Sequence, residues 1–202
     1  MRKRISCIMA AVLLVLIPVS AAFAAYAYDY GRTSDLRYAD ECVGYASDAW
    51  IELGFTYQDY LGSSFTRSTF LANCPYGNAV YAYTKGSTTD ISDNGSGVIT
   101  TSDVSNSRSS DWKRLVFLDA CNTATSSGWA AAWGIRTGDG DLHTFIGWVG
   151  LAYDSPLYAD FTYCFFKNMS YYGYTIRRSL ELAKAVTGVS NYGYYGNPDW
   201  AY

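Results

Sequence analysis

The chain predicts an α/β fold, a three-layer αβα sandwich around a mostly parallel sheet. Three observations carry that expectation. Leu115-Val116-Phe117-Leu118 and Thr144-Phe145-Ile146-Gly147-Trp148-Val149 are continuously apolar, as strands buried on both faces are. Helix-patterned and strand-patterned segments alternate, which implies parallel strands joined by crossovers. The first apolar run also leads into Asp119-Ala120-Cys121-Asn122, delivering a cysteine to a strand's carboxyl end, where α/β sheets keep their sites.

The first 24 residues read as a secretory signal peptide. Arg2-Lys3-Arg4 is a basic start, Ile8 to Val19 an apolar stretch, and Ala22-Phe23-Ala24 a small-x-small cleavage site. The apolar stretch is shorter than the ~20 residues a spanning helix needs, so an exported product is expected, with no membrane association after cleavage. The remaining 178 residues suit one domain, 25–202, with a full core. Cleavage removes three of the 15 Lys and Arg and none of the 18 Asp and Glu, leaving a net charge of -6. That balance argues against nucleic acid, which needs a basic face.

Along the mature chain, Tyr38 to Leu53 places Cys42, Tyr45, Ala46, Ala49, Trp50 and Leu53 at helical spacing, with Gly54 as the stop. Thr66 to Asn73 predicts a shorter helix, and Ala79-Val80-Tyr81-Ala82-Tyr83-Thr84 a strand ending at Lys85-Gly86. Residues 86–110 are rich in Gly, Ser, Thr, Asn and Asp and read as a loop or a small hairpin around Gly95-Ser96-Gly97. After the Leu115 strand come an Ala/Trp-rich helix from Ser127 to Trp133, the Thr144 strand, and helices from Ala159 to Met169 and from Thr175 to Val186. Four mature cysteines, Cys42, Cys74, Cys121 and Cys164, lack CxxC spacing. In an exported protein they predict one or two disulfides rather than zinc.

A strand closing on a small residue and glycine, then one closing on Asp119-Ala120-Cys121, then one of the type Phe145-Ile146-Gly147-Trp148, resembles the caspase-like cysteine peptidases, which include gingipains, legumains and metacaspases. The tail Tyr194-Tyr195-Gly196-Asn197-Pro198-Asp199-Trp200 is similar to the terminal strand of gingipain-like members. The resemblance implies a caspase–haemoglobinase fold, a polypeptide substrate or protein partner, and Cys121 as nucleophile. It also implies backbone N–H groups near Cys121 and Gly86 as an oxyanion hole, and Asp119 near the substrate pocket.

One position departs from that family. Where active members carry His-Gly, this chain has Lys85-Gly86. Imidazole serves a cysteine peptidase because its pKa lies near neutrality, so it can both accept and return a proton. The Lys85 ammonium can hold a thiolate by charge but returns protons poorly unless desolvated. The single histidine, His143, precedes the Thr144 strand. In a parallel arrangement it lies ~17 Å from where Cys121 emerges. The carboxyl end of that strand brings Trp148, Tyr153 and Asp154 toward Cys121 as a pocket wall, although Trp148 reads equally as core.

No metal site is expected. Asp90-Ile91-Ser92-Asp93-Asn94-Gly95 spaces oxygen ligands like the start of a calcium loop, but its twelfth position is Thr101 rather than Glu, and Asp139-Gly140-Asp141 is equally incomplete. Ca2+ at 90–95 is thus the only cofactor the sequence hints at. Tyrosine is abundant, 20 of 202 residues, crowding toward the end, which suits either half-buried strand positions or a binding surface. Three functions remain open: a catalytically impaired caspase-like binding domain, an active peptidase using Cys121 with Lys85, and a disulfide-stabilised, tyrosine-rich binding domain.

Overall fold

The structure, a computed structural model, describes residues 25–108, 113–136 and 141–202. The predicted signal peptide and Asp139-Gly140 lie outside the described residues.

Six strands form the central sheet: β1 (Tyr26–Gly31), β2 (Thr56–Leu61), β3 (Ala79–Tyr83), β6 (Leu115–Asp119), β7 (Thr144–Trp148) and β8 (Tyr192–Gly196). Their spatial order is β2-β1-β3-β6-β7-β8, parallel throughout except for β8, which pairs antiparallel with β7. The middle strands β3, β6 and β7 are buried at every position, which explains their uninterrupted apolar sequences. β2, reading Thr-Tyr-Gln-Asp-Tyr-Leu, is an edge strand with its first four residues exposed.

Helices α1 (Ala39–Glu52), α5 (Pro156–Ser170) and α6 (Ile176–Thr187) cover one face. There Trp148 packs edge-on against Tyr158 and Phe161, and Tyr81 and Phe117 meet Phe166 and Phe165. Burying each such side chain contributes ~1.5–3 kcal/mol. The other face carries α2 (Arg67–Asn73), α3 (Thr101–Ser107), α4 (Gly128–Ala132) and the hairpin β4 (Asp90–Ser92)/β5 (Val98–Thr100). This is the three-layer αβα architecture expected from the sequence.

Three elements were not anticipated, for physical reasons. α3 buries only Val104 and is held by a capping box between Thr100 and Asp103, so it has no apolar stripe to read. β1 and β2 mix tyrosines with aspartates, and only the pairing of β2 with β1 and of β1 with β3 makes them strands. The expected disulfides are not formed: Cys42, Cys74, Cys121 and Cys164 are all free thiols. Cys42 and Cys74 belong to cores on opposite faces of the sheet, Cys164 lies on α5, and Cys121 lies beyond the end of β6.

Candidate functional site at the carboxyl edge of the sheet

Neighbouring strands β3 and β6 are paired in register, Tyr83 opposite Asp119. Both chains leave the sheet there, so Lys85 and Cys121, each two residues on, come out side by side. They line a cleft of about 380 Å³ together with Leu36, Gly86, Tyr153 and Asp154.

The turn after Cys121 is tightly made. Asn122 has φ 61, the left-handed region that asparagine tolerates better than most residues, and its N–H donates to the Gly150 carbonyl at 2.7 Å. Thr123 folds back so that its hydroxyl donates to the Leu118 and Ala120 carbonyls at 3.0 and 2.8 Å. A Cβ at Gly147 would lie 2.4 Å from the Thr123 hydroxyl, so β7 needs glycine there for the loop to seat. On the facing loop, a Cβ at Gly86 would meet that of Ala120 at 2.9 Å. Small residues on both loops therefore set the cleft's width.

Within the cleft the Cys121 thiol, the Lys85 ammonium and the Asp154 carboxylate each have a partner. The Cys121 Sγ accepts from the Ala152 N–H at 3.3 Å and lies 3.4 Å from the Ala152 carbonyl, to which the thiol donates. The Lys85 ammonium is ion-paired with Asp35, whose other partner is Arg32 at 2.7 Å. Arg32 and Lys85 together hold the Asp35 carboxyl down at about 2. Asp154 accepts from the Arg37 and Tyr38 N–H groups at 2.7 and 3.1 Å and from the Tyr83 hydroxyl at 3.0 Å, tying the start of α1 to this edge.

Asp119 is part of the cleft's lining, at its buried floor. It is 3 % exposed, and its carboxylate accepts from Trp148 Nε1 at 2.6 Å, the Tyr81 hydroxyl at 2.8 Å and the Thr162 hydroxyl at 2.9 Å. Burial pushes its pKa up to about 6 against the opposing pull of these three donors. Trp148, expected on the pocket wall, is fully buried against α5, because its indole N–H is drawn inward to Asp119; it fills the core. Tyr153 is 59 % exposed on the rim. His143 precedes β7, at the sheet's opposite edge from Cys121.

In the 90–95 segment, Asp93 receives the N–H groups of Gly95, Gly97 and Arg67, and Asp90 receives the Ser87 and Thr89 hydroxyls. Among the described residues no three His, Cys, Asp or Glu side chains gather as a metal site. Sequence reasoning missed Asp35, Arg32 and Ala152. Asp35 lies 50 positions from Lys85 with no motif around it, and Ala152 acts only through its backbone.

Among solved structures the chain is similar to the Drosophila initiator caspase Dronc, with a TM-score of 0.53 over 88% of this chain and 80% of that one, at 8% sequence identity. The protein therefore has a caspase-like fold, a mostly parallel six-stranded sheet flanked by helices. No family model matches the sequence, and no curated protein does. No helix among the described residues is long and apolar enough to cross a membrane.

Proposed function

We propose that this chain is an exported, non-catalytic domain of caspase-like fold that uses the cleft beside Cys121 to hold a polypeptide partner. Export rests on the signal-peptide pattern of residues 1–24. The observation that carries the loss of chemistry is the state of the cleft: the Lys85 ammonium is committed to Asp35, and the chain's single imidazole stands at the other edge. A thiol in that setting has neither a base to ionise it nor an acid for a leaving amine. A polypeptide partner is supported by the exposed apolar side chains of Leu151 and Tyr153 along the cleft's rim.

The test is the alkylation rate of Cys121 against pH, read by mass spectrometry, for the wild type and Lys85→Ala. Slow labelling with an ordinary thiol profile in both proteins is the expected result. Fast labelling with an apparent pKa well below ~8.5, lost in Lys85→Ala, overturns it in favour of a Cys121/Lys85 peptidase. That second reading rests on the placement of Lys85 and Cys121 in one cleft, with Gly86 beside them. A gain of peptide hydrolysis in Lys85→His would show that only the imidazole was missing.

A further inference from the structure

Two carboxyl groups meet where the edge strand β2 joins the sheet. Asp29 on β1 and Asp59 on β2 are register partners, and both reach the Ser47 hydroxyl on α1. Asp29 is fully buried, whereas Asp59 stands on the exposed strand. Neither has an ion pair among the described residues. The further charge acting on Asp59, Asp40 on α1, is also negative. On the other side of β1, Tyr81 of β3 is the register partner of Asp29 and gives its hydroxyl to Asp119.

The donors around this pair are too few for two carboxylates. Trp50 Nε1 donates to Asp29 Oδ1 at 2.8 Å. The Ser47 hydroxyl carries one hydrogen but has three acceptor oxygens within reach: Asp59 Oδ1 at 2.8 Å, the Val43 carbonyl at 2.9 Å and Asp29 Oδ2 at 3.4 Å. With both carboxyls ionised, two of these oxygens would face Ser47 with no hydrogen between, and two negative charges would stand together without a cation. One proton on the pair removes both difficulties, because like charges sharing a site ionise one at a time. Burial raises the pKa of each carboxyl, that of Asp29 well above the ordinary range.

We propose that Asp29 and Asp59 share one proton and form a pH-sensitive latch, which closes the edge strand β2 against β1 and α1 while the proton is held and loosens it when the proton leaves. Asp59, at the exposed edge, gives the proton its route to solvent. In a detached β2 both carboxyls return to ordinary values near ~3.9. The latch therefore weakens as pH rises above ~4, by up to about tenfold per pH unit for one proton, and levels off once the folded pair is itself ionised.

Infrared difference spectra and native-state hydrogen exchange test this. At pH ~6, where an ordinary carboxyl is ionised, subtracting the Asp29→Asn spectrum from the wild type should leave the carbonyl band of a protonated carboxyl. In Asp59→Asn the amide donates to Asp29 in place of the shared proton, so the band should titrate at lower pH. Protection of the β2 amides, corrected for intrinsic exchange, should fall with pH relative to the β3 amides in the wild type, and the slope should flatten in Asp29→Asn. Absence of the band overturns the proposal. An unchanged midpoint in Asp59→Asn, a variant on the exposed strand, would show that burial of Asp29 alone holds the proton and overturn the sharing. β2 protection that falls no faster than that of β3 would overturn the latch.

Discussion

The two edges of this sheet differ in what they leave unsatisfied. At the carboxyl edge, where a cysteine and a lysine emerge from adjacent strands, every charge is answered within the protein: Lys85 by Asp35, Asp154 by the start of α1, and the Cys121 thiol by the Ala152 peptide. At the amino edge, which carries no motif, the Tyr202 hydroxyl is buried without a hydrogen-bond partner and Arg114 is exposed to solvent. An edge that resembles an active site is thus internally paired, and the opposite edge keeps one buried phenol unpaired.

The sharpest way to break this contrast is to remove the acceptor under the carboxyl edge. Asp119→Ala leaves the buried Trp148, Tyr81 and Thr162 donors unpaired and should cost about 3–5 kcal/mol in urea unfolding. Arg114→Leu, which removes no internal partner, should stay within about 0.5 kcal/mol. Comparable losses in the two variants would end the distinction between the paired carboxyl edge and the solvent-exposed Arg114.

Next in size is the pH dependence. Asp119 titrates near 6 in the folded state and near ~3.9 unfolded, so the folded protein holds its proton where the unfolded chain has released it. Stability should fall by about 3 kcal/mol as pH rises from ~4 to ~6, then level off for this group. Asp29 acts with the same sign. It is buried opposite Asp59 across β1 and β2, and burial raises its pKa well above the ordinary range. Chemical denaturation at intervals across this range should show a smaller slope in Asp119→Asn, with the Asp29 contribution remaining. An unchanged slope would remove Asp119 as its source.

A smaller stability effect than that of Asp119 belongs to Asp35→Asn. The pairs it breaks are partly exposed, so unfolding should change by less than about 1 kcal/mol. Its kinetic effect is more telling: freed of Asp35, the Lys85 and Arg32 charges should favour the Cys121 thiolate and speed its alkylation a few-fold near neutral pH. No acceleration would mean that Lys85 does not influence the thiol even when released.

Much of the carboxyl edge was legible in the sequence. β3, β6 and β7 announce themselves because strands buried on both faces must be apolar at every position. Lys85 and Cys121 follow those strands directly, so their shared edge was readable as soon as parallel pairing was assumed. Trp148 was ambiguous because a tryptophan at a strand end serves a wall or a core equally well, and the buried Asp119 acceptor decided for the core. The predicted disulfides failed because cysteine counting carries no information about which face of a sheet each thiol joins. α3 escaped because its stability comes from caps rather than periodicity.

Local chemistry, held in contiguous residues, determined the strands, the long helices, the signal-peptide pattern and the cysteine at a strand's end. Tertiary structure alone decided that Asp35, 50 positions away, would neutralise Lys85, and that Phe55, Asn78, Arg114 and Tyr202 would line one cavity. Hydrophobic periodicity is a property of neighbours along the chain. Charge pairing and cavity formation depend on neighbours in space, which a parallel sheet draws from segments far apart in sequence.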